Sequence, residues 1–218
     1  MIKVAIVDDK PYNRSVIADK LSRHDSFTIL FQAANGADFL KQMHNWPEEN
    51  LPHILLMDLE MPEVDGVSAI ATASVLYPAI KFVVLTIFDD ADKIFKAIRA
   101  GACGYLLKEE SGEVISEMLM NLWESGAGPI SPSIAYKILQ MVQQPVTVKD
   151  DKENIFQLSD RELEILQQLC DGLEYKEIGA KLFISANTVK KHCISIYQKL
   201  HVKSKAQALR IAYTKGLI

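Results

Sequence analysis

Short apolar runs alternate with segments of helical periodicity through the first 125 residues of the chain. Runs such as VAIV and FVVL are too apolar for strands with one solvated face. The pattern therefore predicts an α/β fold in which a five-stranded parallel sheet is doubly wound, with helices on both faces. The predicted strands are IKVAIV, FTILFQAA, HILLM, KFVVLT and CGYLL, and helices follow from Pro11, about Asn35, Gly66, about Asp90 and about Gly112.

Past Trp123 this alternation stops. The loop signal SGAGPISPS leads into a short amphipathic helix near Ile134 to Val142, and the polar segment QQPVTVKDDKEN is typical of a flexible connector. From Leu158 onward only helical patterns remain, and Ser159 with Glu162 forms a capping box that opens the first. Three more helices are predicted, at Tyr175 to Phe183, Ser185 to about His201 and about Ser204 to Lys215. We therefore expect a first domain at 1–125, a linker with a short helix at 126–154, and a small all-α four-helix domain at 155–218.

The composition is that of an ordinary globular protein. With 49% hydrophobic and 24% charged residues, the chain can fill its cores, unlike a disordered or fibrous sequence. No apolar run approaches the roughly eighteen residues that cross a bilayer, and Met1 leads directly into a strand rather than a signal peptide. A cytoplasmic location is therefore expected. The three cysteines have no pairing or zinc-site spacing and are expected to be reduced core residues.

Charge is distributed unequally between the two predicted domains. Residues 1–125 contain 11 Lys and Arg against 19 Asp and Glu, whereas residues 155–218 contain 10 against 6. A basic module joined to an acidic one favours a polyanionic partner for the basic module, although either excess can also serve solubility alone.

Carboxylates gather at one predicted edge of the sheet. Asp8 and Asp9 end the first strand and Asp58 ends the third, and ligands of open parallel sheets bind outside the carboxyl ends of the strands. Crowded carboxylates resist ionising together unless a divalent cation neutralises them. Mg²⁺ suits this set because it accepts one or two carboxylates and completes its shell with water and phosphate oxygens.

The same edge receives a hydroxyl and an ammonium group, because Thr86 ends the fourth strand and Lys108 follows the fifth. With a metal ion and Lys108 balancing the phosphoryl oxygens, Asp58 can act as a nucleophile and form an aspartyl phosphate. Each of these residues alone is more often a helix cap or turn former. Together they predict a phosphoryl site.

The motifs around these residues resemble the receiver domain of two-component signalling. In the family's order, the chain contains VDD at Val7 to Asp9, MDLEMPEVDG at Met57 to Gly66, LT at Leu85 and Thr86, and GYLLKE at Gly104 to Glu109. The resemblance implies a flavodoxin-like receiver with Asp58 as phosphoacceptor. It also implies that Mg²⁺ is held by Asp8, Asp9, Asp58 and the backbone carbonyl of Glu60, that Lys108 pairs with the phosphoryl group, and that Thr86 and Tyr105 form the switch.

Two helical segments of the second domain have the arrangement of a helix-turn-helix. Gly179 supplies a small contact between them, and the longer helix has an apolar stripe made of Val189, Cys193, Ile196 and Leu200. The opposite face is suited to a DNA groove, although it can equally be an ordinary solvated face. Its residues are Asn187, Lys190, Lys191, Ile194 and Gln198.

The second domain resembles the LuxR-type DNA-binding domain, with REXEIL, KEI, ISANTVKKH and KL in register, so the chain is similar to NarL/FixJ-type response regulators. The resemblance implies base contacts by Lys190, Lys191 and Ile194, with Thr188 and His192 near the DNA backbone. It places dimerisation on DNA at the last helix, around Ala208, Ile211 and Ala212. The chain departs from the family pattern at Glu174 and Tyr175, where Ser-Asn is usual, and at Lys205, a candidate DNA contact where arginine with its bidentate fork is usual.

These resemblances imply a DNA-binding response regulator and not an enzyme for a small substrate. A sensor histidine kinase would phosphorylate Asp58, and phosphorylation would switch homodimerisation and binding to double-stranded promoter DNA. Two alternatives are a phosphatase or phosphotransferase of the haloacid-dehalogenase type and an interaction module that signals without DNA. The first is disfavoured because Glu60 stands where that family has its second Asp.

Overall fold

The computed structural model describes residues 1–87, 90–143 and 155–218. The chain divides into two compact units, residues 1–147 and 148–218. The connector predicted at 143–154 lies, apart from its first residue, outside the described residues. The domain boundaries predicted after residues 125 and 154 stay predictions.

The described strands of the first unit form one parallel sheet with the strand order β2-β1-β3-β4-β5. This confirms the predicted doubly wound α/β fold, and the strand order reverses between β1 and β3, where such sheets bind ligands. The strands are β1 (Ile2–Val7), β2 (Phe27–Ala33), β3 (Ile54–Met57), β4 (Lys81–Thr86) and β5 (Gly104–Leu107). The helices are α1 (Pro11–Ser22), α2 (Gly36–Asn45), α3 (Gly66–Leu76), α4 (Ala91–Ala100), α5 (Gly112–Ser125) and α6 (Pro132–Gln143).

Apolar side chains of the strands and helices fill both sides of this sheet. Every residue of the central strand β3 and of the edge strand β5 is buried, as expected for apolar runs covered by helices on both faces of the sheet. Side-chain oxygens of Asn35, Asp65, Asp90 and Ser111 accept backbone N–H groups at the starts of α2, α3, α4 and α5, which fixes where these helices begin. In the parts of the chain that the structure describes, no helix has both the length and the hydropathy needed to cross a membrane.

The segment after α5 is attached to the outer edge of β5. The Tyr105 N–H donates to the Pro129 carbonyl at 2.7 Å, and the Ser131 N–H donates to the Tyr105 carbonyl at 3.0 Å. The buried Ser131 hydroxyl accepts from the Leu107 N–H at 3.1 Å. Helix α6 then packs against α4 with Ile134 buried. Residues 129–134, predicted as loop and helix start, thus belong to the first unit and cover an edge that would otherwise be unpaired.

The second unit consists, in its described part, of helices α7 (Asp160–Cys170), α8 (Tyr175–Leu182), α9 (Ala186–Lys199) and α10 (Lys205–Thr214). All four predicted helices are confirmed. Helix α9 ends two residues before the predicted His201, because His201 adopts a left-handed conformation with φ of 55° that turns the chain. The predicted apolar stripe of α9 faces the core: Val189, Cys193, Ile196 and Leu200 are all buried.

One sequence expectation about buried residues is wrong, and a second stays a prediction. Dimerisation at α10 around Ala208, Ile211 and Ala212 stays a prediction, and these three side chains are buried in the core of their own unit. The apolar face of a helix in a small domain normally packs against the core of that domain. Among the cysteines, only Cys193 is buried, whereas Cys103 is exposed and Cys170 is half-buried.

Candidate functional sites

The pairing register of the strands brings the predicted phosphoryl-site residues together. Val7 of β1 lies opposite Met57 of β3, so the next residues, Asp8 and Asp58, leave the sheet side by side. The Asp58 N–H donates to the Val7 carbonyl at 2.9 Å. On the other side, Thr86 lies opposite Leu107, and the Lys108 N–H donates to the Thr86 carbonyl at 2.9 Å.

An ammonium group joins two carboxylates at this edge. Lys108 Nζ lies 2.5 Å from Asp8 Oδ2 and 2.6 Å from Asp58 Oδ2. Asp8 and Asp58 are only 3% and 6% exposed, so these ion pairs are poorly screened by water. One carboxylate oxygen from each of Asp8, Asp9 and Asp58 lies within 4.8 Å of the others. This all-oxygen set fits a hard divalent cation such as Mg²⁺.

The turn after β3 holds Asp58 in its orientation. The Leu59 N–H donates to Asp58 Oδ1 at 2.7 Å, which leaves Oδ2 to Lys108. The Gly66 N–H donates to the Leu59 carbonyl at 2.9 Å, and a Cβ at Gly66 would overlap the Asp58 carbonyl. Only glycine therefore permits the return of the chain directly behind the phosphoryl-site carboxylate.

The remaining predicted receiver residues surround this edge. Thr86 and Tyr105 are both buried, and the backbone of Tyr105 is bonded to Pro129 and Ser131 as described above. Glu60 has an exposed side chain that forms an ion pair with Lys93 of α4. The Glu60 side chain thus connects the loop after Asp58 to α4, independently of the metal role predicted for its carbonyl.

Sequence reasoning missed three polar residues that contact this site. Asn13 Nδ2 lies within hydrogen-bond distance of both carboxylate oxygens of Asp8, and Arg14 Nη1 donates to the Asp8 carbonyl at 2.6 Å. Lys20 Nζ donates to the Glu110 carbonyl at 2.6 Å and lies 3.4 Å from the Lys108 carbonyl. The available signal was nearness along the chain: Asn13 lies in the first turn of α1, five residues after Asp8.

In the second unit, α8 and α9 form the close pair predicted for a helix-turn-helix. A Cβ at Gly179 would lie 2.7 Å from the Ile184 carbonyl and 3.2 Å from the Ala186 nitrogen, so glycine permits the contact. The Ile184 N–H donates to the Gly179 carbonyl at 2.9 Å. All five residues predicted for the open face of α9 are exposed, namely Asn187, Lys190, Lys191, Ile194 and Gln198.

The other predicted DNA contacts lie beside this face. Thr188 and His192 are half-buried and Lys205 is exposed, and the Thr188 hydroxyl lies 2.8 Å from the Ser185 hydroxyl. A cleft of about 550 Å³ has Lys190, Lys205 and Glu174 in its lining. The acidic Glu174 therefore shares a cleft with two of the lysines predicted to meet DNA. At the start of α8, the Glu174 N–H donates to Glu177 Oε2 at 2.7 Å, which is the half of a capping box that the third helical residue supplies.

A buried carboxylate ties α7 to α9. The predicted capping box is present, since the Ser159 N–H donates to Glu162 Oε2 at 2.8 Å. Lys199 Nζ lies 2.7 Å from the same oxygen, and the Ser195 hydroxyl donates to Glu162 Oε1 at 2.6 Å. Burial by itself would raise the pKa of Glu162. The hydrogen bonds from Lys199, Ser195 and Ser159 outweigh burial and lower the pKa to about 2.

Two family descriptions match the two units. Residues 4–120 match "Response regulator receiver domain" and residues 156–212 match "Bacterial regulatory proteins, luxR family". Among curated proteins, the chain is similar to the transcriptional regulatory protein LnrK of Bacillus subtilis, with 33% identity over 95% of this chain and 94% of the relative. It is also similar to the oxygen regulatory protein NreC of Staphylococcus carnosus, with 32% identity over 100% and 99%.

Solved structures are similar over nearly the whole chain. The response regulator ChrA of a heme-sensing two-component system is 31% identical, has a TM-score of 0.52, and is matched over 100% of this chain and 98% of that one. RcsB of Salmonella enterica serovar Typhimurium, bound to promoter P1flhDC with the phosphomimetic BeF3⁻, has a TM-score of 0.58 over 96% and 97%. At 22% identity, the likeness to RcsB supports the fold alone.

Proposed function

Because the chain belongs to the NarL/FixJ-type response regulators, which join a receiver domain to a LuxR-type DNA-binding domain, we propose that it couples phosphorylation of Asp58 to transcription. A sensor histidine kinase supplies the phosphoryl group. The phosphorylated chain dimerises and binds double-stranded promoter DNA in the cytoplasm. The observation that carries this proposal is the strand register, since it sets Asp8, Asp58 and Lys108 within ion-pair distance.

Asp58 is the nucleophile in this proposal. One carboxylate oxygen bonds to phosphorus while the bond from phosphorus to the kinase histidine nitrogen breaks. Oδ2 is the attacking oxygen we assign, because Oδ1 accepts the Leu59 N–H. Lys108 already contacts Oδ2, so its ammonium group offsets the charge that arrives with the phosphoryl oxygens. The groups that would hold Mg²⁺ are Asp8, Asp9, Asp58 and the Glu60 carbonyl, and the bound ion would neutralise further phosphoryl charge.

Thr86 and Tyr105 couple the charge of the phosphoryl group on Asp58 to a change in the conformation of the receiver. The Thr86 hydroxyl donates to the phosphoryl group, and the Tyr105 ring repacks behind it. The phosphoryl group can favour the active conformation over the inactive one only by as much as it interacts more strongly with the active one. A change in the ratio of active to inactive protein from 1:99 to 99:1 needs a difference in interaction free energy of ~5.5 kcal/mol. Because the Tyr105 backbone is bonded to Pro129 and Ser131, a shift of β5 is transmitted to the segment that leads into α6.

Helix α9 is the recognition helix of the proposal. Lys190, Lys191 and Ile194 meet base edges in the major groove, where lysine reads guanine and an apolar side chain contacts the thymine methyl. Thr188, His192 and Lys205 lie near the sugar–phosphate backbone. For dimerisation on DNA we propose the exposed side of α10, with Ala206, Arg210 and Tyr213, in place of the buried residues first predicted.

Replacing Lys190 and Lys191 together by alanine is expected to weaken DNA binding at least tenfold at low salt. Removing two positive charges from the DNA-facing surface also reduces the number of counterions that binding releases from the DNA, so the slope of log affinity against log salt should flatten. Fluorescence anisotropy over a salt series measures both effects. The charge-matched control is Lys41→Ala with Lys96→Ala, two exposed lysines of the first unit. A wild-type slope in the Lys190 and Lys191 variant would contradict the assigned face.

Replacing Glu174 by serine is expected to strengthen DNA binding about threefold to tenfold. The carboxylate shares a cleft with Lys190 and Lys205 and repels phosphate there, and serine also supplies an N-cap hydroxyl. Because the repulsion is electrostatic, the gain should shrink as salt is raised in the same anisotropy experiment. An affinity equal to that of the wild type at low salt would show that Glu174 does not face the DNA.

The experiment that tests the whole proposal is selection of genomic DNA fragments by the full chain, treated or not with acetyl phosphate and Mg²⁺. Reproducible enrichment that rises on phosphorylation supports it. Absence of enrichment in both states would favour the interaction module without DNA. Steady release of phosphate from small phosphate esters would instead favour the phosphatase alternative.

A further inference from the structure

The side-chain amide of Asn13 contacts both carboxylate oxygens of Asp8. Nδ2 lies 3.1 Å from Oδ1 and 3.2 Å from Oδ2. Asn13 is the third residue of α1, so it faces Asp8 across the short turn between β1 and α1. Because the amide reaches both oxygens, it competes with an ion for whichever oxygen that ion would use.

Other donors already occupy the same carboxylate. The Lys10 N–H donates to Asp8 Oδ1 at 2.9 Å, and Lys108 Nζ lies 2.5 Å from Oδ2. Hydrogen bonds to a carboxylate are stronger than those between neutral groups, and Asp8 is almost completely buried. Of these donors, Lys10 contributes a backbone group and Lys108 belongs to the phosphoryl site. Asn13 is the contact that a change of side chain can remove without disturbing either.

The position of Asn13 is fixed by its neighbours. Pro11 begins α1, and the Arg14 N–H donates to the Lys10 carbonyl at 3.2 Å in the first turn. The Arg14 guanidinium donates to the Asp8 carbonyl at 2.6 Å. The chain is thus bonded to Asp8 on both sides of Asn13, through the Lys10 N–H before it and the Arg14 guanidinium after it. The amide cannot withdraw through movement of the helix and can leave Asp8 only by rotating its own side chain.

We propose that Asn13 is a positioning residue of the metal site that weakens Mg²⁺ binding, because its amide must give up an Asp8 oxygen before the ion binds there. This inference rests on the proposed function. The Lys10 N–H keeps Asp8 oriented without Asn13, so removing the amide relieves competition at little cost in orientation. Asn13 thereby sets the Mg²⁺ concentration at which the receiver becomes ready for phosphorylation.

The test is calorimetric titration of Mg²⁺ into the full chain at constant ionic strength, comparing the wild type with Asn13→Leu. Leucine has a similar volume and no donor. We expect the Kd for Mg²⁺ to fall about threefold to tenfold, the range of one ordinary hydrogen bond. Tyr12→Leu, which changes the adjacent exposed side chain, is the matched control and should keep the wild-type Kd.

An unchanged or higher Kd in Asn13→Leu overturns the inference. Asn13→Ser is the second variant, since its short hydroxyl side chain cannot reach both oxygens, and the same decrease in Kd is expected if the leucine variant does not fold. Failure of the proposed function gives a different result. In that case the wild type itself does not bind Mg²⁺, or Asp9→Asn binds it as tightly as the wild type.

Discussion

Replacing Asp58 by asparagine is expected to abolish phosphoryl incorporation when the protein is incubated with acetyl phosphate and Mg²⁺. Asparagine keeps the volume of the side chain but replaces the attacking carboxylate oxygen with an amide group of low nucleophilicity. Intact mass spectrometry measures the effect directly, because the wild type gains the mass of one phosphoryl group and the variant gains none. Gel filtration of the same samples should show a shift to dimer in the wild type only.

The matched control for this variant is Asp92→Asn, which changes an exposed aspartate in the first turn of α4. It should incorporate the phosphoryl group as the wild type does. Incorporation in Asp58→Asn equal to that of the wild type would mean that another group is the acceptor. Absence of incorporation in every protein, including the wild type, would mean that the receiver does not accept a phosphoryl group from this donor.

The α/β fold could be predicted because the local sequence signal of each strand and helix agrees with the alternation of strands and helices along the chain. Continuous apolar runs indicate buried parallel strands, and helices α2, α3, α4, α5 and α7 each begin after a capping side chain. The attachment of residues 129–134 to β5 could not be predicted. Two of its hydrogen bonds join backbone groups of Tyr105, Pro129 and Ser131, which leave no mark in the sequence, and the third uses a serine hydroxyl of a kind common in loops.

The clustering of charged residues at the candidate phosphoryl site could be predicted, whereas the polar residues that contact them could not. Asp8, Asp58 and Lys108 stand at strand ends, where topology alone makes them neighbours. Asn13 contacts Asp8 through its side chain, which depends on the angle between β1 and α1, and that angle is a tertiary property. The burial of Ala208, Ile211 and Ala212 could not be predicted for the same reason, since apolar spacing does not distinguish a domain core from an interface.

Replacing Glu162 by glutamine is expected to destabilise the second unit by about 3 kcal/mol at pH 7. The variant keeps the side-chain volume but loses the charge that Lys199 and Ser195 contact at 2.7 and 2.6 Å, and it turns an NH₂ group toward donors. Glu164→Gln, an exposed glutamate on the same helix, is the matched control and should change stability by less than about 0.5 kcal/mol. Urea unfolding followed by circular dichroism detects the helices of both units, so the transition of the second unit is the one that tryptophan fluorescence does not show. Tryptophan fluorescence reports only the first unit, because both tryptophans of the chain, Trp46 and Trp123, belong to it.

The pH dependence gives the same prediction an independent test. The pKa of Glu162 is lowered from 4.5 to about 2 in the folded protein, so the unfolded chain binds the proton first as pH falls. The stabilisation is therefore complete above pH 4.5 and is lost as pH falls from there toward 2. A shift of that size corresponds to about 3 kcal/mol, which agrees with the value expected for the variant.

The gap in unfolding free energy between wild type and Glu162→Gln should be largest at neutral pH and close toward pH 2. A gap that stays constant over this range would mean that packing, and not the charge of Glu162, joins α7 to α9.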